Sequence, residues 1–404
     1  MPLGLYISVP FCKSKCSYCN FASDVLAGTR MQGYVDRLCK DIADAETIAA
    51  EAGGKFEREV NSIYFGGGTP SLLQSAQLQQ IFAAIREEFV VADDAEITVE
   101  CAPGTLTDGV MDALVRCGVN RISLGAQSFV DAEARAVGRL HTRDIALADI
   151  ARLRSVGIGN INLDLIAGLP HQTAVSWEKS LEEVIASGVP HASVYMLEVD
   201  EDSRLGRELI AGGTRYHAHF VPSDELTAEF YERACERLNA SGILQYEISN
   251  FARTGKQSRH NLKYWTRQPY LGFGVDAHSM LRSASLEFDA VRLAMPESLD
   301  EFMEARGRGP LDRTSGRAMR HTTVAPQQAW EETFFLGLRM NRGVNLGHIE
   351  QRFGHEGVER AQPVVTDLIA DGLAEMCGDS LRLTPRGRLF SNEVFEKFLL
   401  QPAN

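Results

Sequence analysis

Short apolar, β-branched runs recur through the first half of the chain, at Leu3–Val9, Ser62–Phe65, Glu96–Glu100, Arg121–Gly125, Asn160–Leu165 and Ser193–Leu197. Between them the hydrophobic positions change to a helical period, over 31–52, 75–89, 107–117, 142–156, 174–187 and 223–240. Strand-length runs alternating with amphipathic stretches at this spacing predict βα units around a parallel sheet. The units are fewer than the eight of a closed barrel. The expected fold is therefore α/β, a partial (β/α)6 barrel over residues 1–240.

Beyond Gly242 the alternation loosens, and Tyr246–Asn250 reads as one further strand. Residues 241–311 are expected to extend the core, and the polar stretch 312–327 reads as a linker. Residues 328–404 show helical patterns at 330–340, 346–353 and 359–371, a short strand at 380–383 and a last helix near 390–399. This pattern predicts a small winged-helix-like α+β domain. DNA binding would require a Lys/Arg stripe on one helix, and none is visible, so a packing or lid role is preferred.

With 404 residues, 44% hydrophobic and 24% charged, the chain can bury a large core and exceeds the usual size of one domain. Its formal net charge of -13 argues against nucleic acid as the main partner, because phosphate binding needs a basic face. No charged leader followed by an apolar run opens the sequence, and no apolar run approaches membrane-spanning length. A cytoplasmic protein with at most peripheral membrane contact is expected. Cys39, Cys101, Cys117, Cys235 and Cys377 are scattered singly in apolar surroundings, which suits reduced thiols better than disulfides.

The other three cysteines lie in one loop after the first predicted strand, as Cys12-x3-Cys16-x2-Cys19. A structural zinc site is closed by four ligands, usually two separated pairs, and no second pair lies nearby. Three thiolates on a four-iron cluster instead leave one iron open to a small molecule. Chemistry-bearing residues also follow the other predicted strands: Gly66-Gly67-Gly68-Thr69-Pro70, Glu100, Gln127, Asp164 and Glu198. In parallel βα folds the strand C-terminal ends carry the active site. Glu100 and Asp164 close apolar strands, where an unpaired carboxylate is costly, so each needs a ligand or a basic partner.

The cysteine spacing resembles that of the radical S-adenosylmethionine (SAM) enzymes. The resemblance implies a [4Fe-4S] cluster on Cys12, Cys16 and Cys19, with SAM chelating the fourth iron. It also implies that Gly67, Gly68 and Thr69 meet the SAM amino group, with Tyr18, Glu100, Gln127, Arg139 and Asp164 around the rest of SAM. Arg139 would pair with the SAM carboxylate. Tyr6, on the strand before the cluster loop, touches substrate or SAM, or packs in the core.

Tyr6-x3-Pro10-Phe11-Cys12, the glycine motif, R-I-S-L-G-A-Q-S-F from Arg121, N-L-D-L-I-A-G-L-P from Asn162 and Q-Y-E-I-S-N-F from Gln245 together resemble the oxygen-independent coproporphyrinogen III dehydrogenase family. This resemblance runs essentially the whole chain. The dehydrogenases carry a further cysteine where Phe21 stands, and relatives commonly carry histidine at the position of Ser8 and asparagine at that of Ala102. These departures imply that the decarboxylation chemistry is absent. His260-Asn261-Leu262-Lys263-Tyr264-Trp265 is similar instead to the heme-binding motif of the family's heme-chaperone branch. An imidazole can ligate heme iron while Tyr264 and Trp265 offer flat faces, although a packed core histidine has the same signature. His278 is a second candidate ligand, and Arg253, Arg259 and Lys263 are candidates for the propionates.

The resemblance thus implies a heme-binding protein that passes heme to acceptors such as respiratory hemoproteins or a bacterioferritin, with flavodoxin or ferredoxin as reductant. The alternatives are a coproporphyrinogen III dehydrogenase acting through a 5′-deoxyadenosyl radical, and a radical SAM methyltransferase or heme-degrading relative. A transcription factor using the C-terminal domain is a further one.

Overall fold

The computed structural model describes residues 1–25, 30–304 and 319–399. Six strands form its parallel centre: β1 (Leu3–Val9), β2 (Glu59–Gly67), β3 (Val90–Cys101), β4 (Arg121–Gln127), β5 (Asn160–Ala167) and β6 (His191–Met196), paired in sequence order. Helices follow them as expected, including α1 (Met31–Ala43), α2 (Ser75–Glu88), α3 (Asp108–Arg116), α4 (Arg143–Ser155), α5 (Ala174–Ser187) and α6 (Asp224–Ala240). The result is the α/β partial barrel that the alternation predicted. The first helix is shorter than expected, because Asp44 breaks the pattern and a separate helix runs Ala45–Glu51.

Period-two alternation explains why these segments are strands and what their two faces do. Leu5 and Ile7, Ile63 and Phe65, Ile97 and Val99, Ile122 and Leu124, and Leu163 and Leu165 are all buried in one core with the helices. Each large apolar side chain so buried contributes about 1.5–3 kcal/mol. The intervening residues, among them Tyr6, Tyr64, Glu100, Ser123, Asn162, Asp164 and His191, share the opposite, inner face and contact one another across strands.

Beyond β1 the sheet continues through β7 (Tyr270–Phe273), which is parallel to β1 with Tyr6 opposite Gly272. Antiparallel β8 (His278–Ser283), β9 (Ala290–Ala294) and β10 (Arg320–Val324) then follow. The last of these corrects the expected linker: 312–318 lie outside the described residues, but Arg320–Val324 pairs with β9 along its whole length. Its sequence R-H-T-T-V looks polar because it is the outermost strand of this sheet, with only Val324 buried.

Helix α7 (Arg259–Trp265) carries the aromatic motif. The C-terminal unit has its own core of Trp330, Phe334, Leu368, Leu381 and Phe398 around a small antiparallel sheet of Val344–Asn345, Ser380–Leu383 and Ala374–Cys377. Its helices α8 (Pro326–Gly337) and α9 (Leu346–Ala370) complete a winged-helix-like arrangement. The two patterns expected at 346–353 and 359–371 are two helical segments within α9, separated at Gly354, whose φ of +76° is non-helical. Arg267 of the core is buried against Glu332 of α8 at 2.8 Å and fixes the junction.

Candidate functional site

The cysteine loop is pinned from several sides. Ser17 N–H donates to the Val137 carbonyl at 3.1 Å, Leu205 N–H donates to the Ser17 carbonyl at 2.8 Å, and Ser14 Oγ donates to Gly138 at 3.0 Å. Cys12, Cys16 and Cys19 are all unpaired and partly exposed. Burial pushes the Cys19 thiol up, and Cys16 and Cys12 beside it add to the shift. Ionising such a group of thiols requires cations, as a bound iron cluster would supply.

The glycine motif supports this loop from below. Gly68 N–H donates to the Val9 carbonyl at 2.9 Å and Thr69 N–H to the Phe11 carbonyl at 2.8 Å. Gly67 has a φ of +98°, and a Cβ on Gly68 would lie 2.7 Å from the Phe11 carbonyl oxygen. Only glycine accommodates these two positions without displacing the cysteine loop. Thr69 Oγ1 lies 3.8 Å from Cys12 Sγ.

Glu100, Gln127, Arg139, Asp164 and Tyr18 come together on the inner face next to this loop. Arg139 donates to Tyr18 Oη at 2.8 Å. Burial works against its cation, but Tyr18, Cys16 and Asp164 hold it charged and above its ordinary value. Among the described residues the buried Nε of Arg139 has no partner, which leaves one donor free for an anionic ligand group. Gln127 is held at a φ of +66°, an uncommon conformation for a side-chain-bearing residue. A Cβ built on Gly125 would lie 3.1 Å from Gln127 Nε2 and 3.4 Å from Arg139 Nη2, which shows how closely the two converge.

Glu100 accepts a hydrogen bond from Tyr64 Oη at 2.8 Å, and burial pushes its carboxyl up to about 7. Burial also raises Asp164, opposed by hydrogen bonds from Ser193, Asn162 and Ser123. Asn162 bridges Asp164 at 2.7 Å and His191 at 2.6 Å, and His191 Nε2 lies 3.0 Å from Tyr246 Oη. Tyr64, Ser123, Asn162, His191 and Ser193 were missed when the strands were read as apolar runs. Alternation within each run was the signal for them.

The aromatic motif is packed into the fold. His260 is 1% exposed, with Nδ1 3.0 Å from Ser62 Oγ and Nε2 2.9 Å from Tyr264 Oη. Burial, with Lys263 nearby, depresses its imidazole to about 3. Both ring nitrogens are thus hydrogen-bonded. Trp265 turns away from the inner face and lies under the Arg339 guanidinium, 4.3 Å from the ring centroid, at the C-terminal junction. The candidate propionate partners do not line the tyrosine pocket described below. Lys263 Nζ donates to the Pro2 carbonyl at 2.8 Å, Arg259 pairs with Asp94 at 3.3 Å, and Arg253 bonds through its backbone at the start of β6, the strand end away from the cysteine loop.

Tyr264 does reach a ligand-sized space. A pocket of about 270 Å³ beside the cysteine loop is lined by Tyr6, Tyr264, Tyr270, Val275, Phe21 and His278, with Ser8, Gly67, Ala22 and Asp276 completing it. Phe21 is 63% exposed at this pocket, an apolar ring left in water. Tyr264 and Tyr270 meet edge to face at 4.6 Å, and Tyr6 stacks on Tyr64 at 6.2 Å.

A parallel βα sheet with three unpaired thiols in the first strand–helix loop and a glycine turn beneath them defines a radical SAM protein. Residues 6–184 match the radical SAM superfamily, and residues 324–390 match the HemN C-terminal domain. The heme chaperone HemW of Bacillus subtilis (strain 168) is 33% identical over 396 residues, covering 98% of each chain. That of Lactococcus lactis subsp. lactis (strain IL1403) is 30% identical over 403 residues, covering 100% of this chain and 99% of the relative. The chain belongs to the heme chaperone HemW family. Among solved structures, the coproporphyrinogen III oxidase HemN of Escherichia coli superposes with a TM-score of 0.79 at 24% identity, covering 98% of this chain and 90% of the other, a likeness of fold.

Proposed function

We propose that this chain binds heme and passes it to acceptor hemoproteins, with a [4Fe-4S] cluster and SAM at the cysteine loop governing the transfer. The observation that carries the reading is the aromatic pocket directly beside the loop, with Phe21 at its wall and Gly67 of the SAM cradle on its floor. Flat tyrosine faces suit a porphyrin plane. The donor set fits the cluster: Cys12, Cys16 and Cys19 would each hold one iron, leaving one open. Glu100 and the free donor of Arg139 suit the oppositely charged groups of a zwitterionic ligand, with Gln127 and Asp164 beside them.

When bound, the cluster and SAM supply one-electron reductive chemistry next to the pocket. The residues of the chain hold the thiolates, orient the ligand ends and keep water from the inner face. Respiratory hemoproteins or a bacterioferritin would be acceptors, flavodoxin or ferredoxin the reductant, and the cytoplasm the setting. Among the described residues no helix is long and apolar enough to cross a membrane.

The test is to reconstitute the cluster anaerobically, titrate hemin, and assay coproporphyrinogen III turnover in the same preparation. Saturable hemin binding without formation of protoporphyrinogen IX is expected. Turnover of the porphyrinogen, or no hemin binding, would sink the reading. Replacing any one of Cys12, Cys16 and Cys19 by alanine is expected to remove the brown absorbance of the four-iron cluster.

A further inference from the structure

The geometry points to His278 as the axial ligand of heme in this pocket, with His260 acting behind it as a positioning residue for Tyr264. The inference rests on the heme reading above and adds to it the residue that meets the iron.

His278 opens β8 and is 62% exposed at its side chain. Because Met280 pairs with Tyr270 across antiparallel strands, and side chains two apart share a face, His278 lies on the same face as Tyr270. It lines the pocket with Tyr6, Tyr264 and Tyr270. Its Nε2 lies 3.7 Å from Asp276 Oδ1. At that distance the carboxylate is an anionic neighbour beyond hydrogen-bond reach, placed beside the ring where it can steady it. Asp276 is itself held at a φ of +55°, which sets the turn that brings its carboxylate beside the ring.

His260 has the opposite surroundings. Its Nδ1 and Nε2 are both hydrogen-bonded, and ligating iron would break the bond that holds Tyr264. Through that bond it fixes the Tyr264 ring, which meets Tyr270 edge to face in the pocket wall. The aromatic motif thus acts by shaping the wall, and the iron is met from β8.

The experiment is a hemin titration of the full chain and of His278→Ala, His260→Gln and Tyr264→Phe, followed by Soret absorbance and ferric electron paramagnetic resonance. His278→Ala is expected to lose the imidazole-ligated low-spin spectrum and to bind hemin about tenfold more weakly or worse, with the spectrum restored by added imidazole. His260→Gln and Tyr264→Phe are expected to keep the imidazole-ligated spectrum while weakening affinity, because each breaks the His260–Tyr264 bond without removing the ligand. An unchanged spectrum in His278→Ala, or loss of imidazole ligation in the folded His260→Gln protein, overturns the ligand assignment alone. Absence of hemin binding by the unaltered chain overturns the heme reading together with it.

Discussion

At the scale of single residues, Glu100 makes the sharpest claim. Burial pushes its folded-state value from 4.5 up to about 7, with the Tyr64 hydrogen bond opposing the shift. The native chain therefore keeps a proton that the unfolded chain has already released across that window. The stability contribution of the group is complete below the unfolded value and is lost as pH rises through the folded one, an effect on the order of 3 kcal/mol. Glu100→Gln should flatten the fall in thermal midpoint of the cluster-free protein between these pH values. An identical pH slope in the two proteins would refute the assignment. Glu100 and Asp164 were legible because each is a carboxylate at the end of an apolar run. The role of His260 was not, since its partners Ser62 and Tyr264 are brought together only by the packing of α7 against β2, and Ser62 lies 198 positions away in sequence. A ligating histidine and a bridging one have the same spacing to a tyrosine in sequence, and only burial separates them.

At the scale of elements, the turn after β2 and the loop after β1 are one construction. Two backbone hydrogen bonds join them, and the Cβ missing from Gly68 is the space that the Phe11 and Val9 carbonyls occupy. Gly68→Ala is expected to displace the cysteine loop and reduce iron content per chain after reconstitution, with little change in far-ultraviolet circular dichroism. Gly159→Ala, where a Cβ meets nothing within 4 Å, is the control expected to load iron normally. Equal iron content in both would show that the loop tolerates the shift. The parallel strands could be read from sequence because their outer faces are apolar against the helices. β10 could not, because an outermost strand with exposed alternate positions has the composition of a linker. The inner face was hidden for a related reason: polar residues that satisfy one another inside a fold interrupt an apolar run only every second position.

At the scale of the whole molecule, the C-terminal unit is tied to the site through a buried charge. Arg339, just past α8, reaches Glu247 at 3.5 Å, and the Ile248 N–H donates to the Arg339 carbonyl at 3.1 Å. Glu247 is fully buried and bonds Asn250, whose Oδ1 accepts from Ser193 Oγ at 2.9 Å, and Ser193 in turn supports Asp164. A stable small domain was readable from its helical periods and short strand, but this connection was not, since it depends on one arginine meeting one glutamate across the junction. Burial raises the Glu247 carboxyl and Arg339 opposes that rise. Removing the cation strands a buried carboxylate, which costs about 3 kcal/mol when the partner is left ionised. Arg339→Met should therefore lower stability, and the deficit should grow with pH above the unfolded carboxylate value, because protonating Glu247 relieves it only in acid. Adding Glu247→Gln to Arg339→Met should recover part of the loss, since the amide needs no counter-charge. Urea unfolding of the unaltered chain, Arg339→Met, Glu247→Gln and the double variant at two pH values, with SAM binding measured alongside, decides the point. Strictly additive losses, or a deficit independent of pH, would mean that the junction holds the two units together without reaching Asp164.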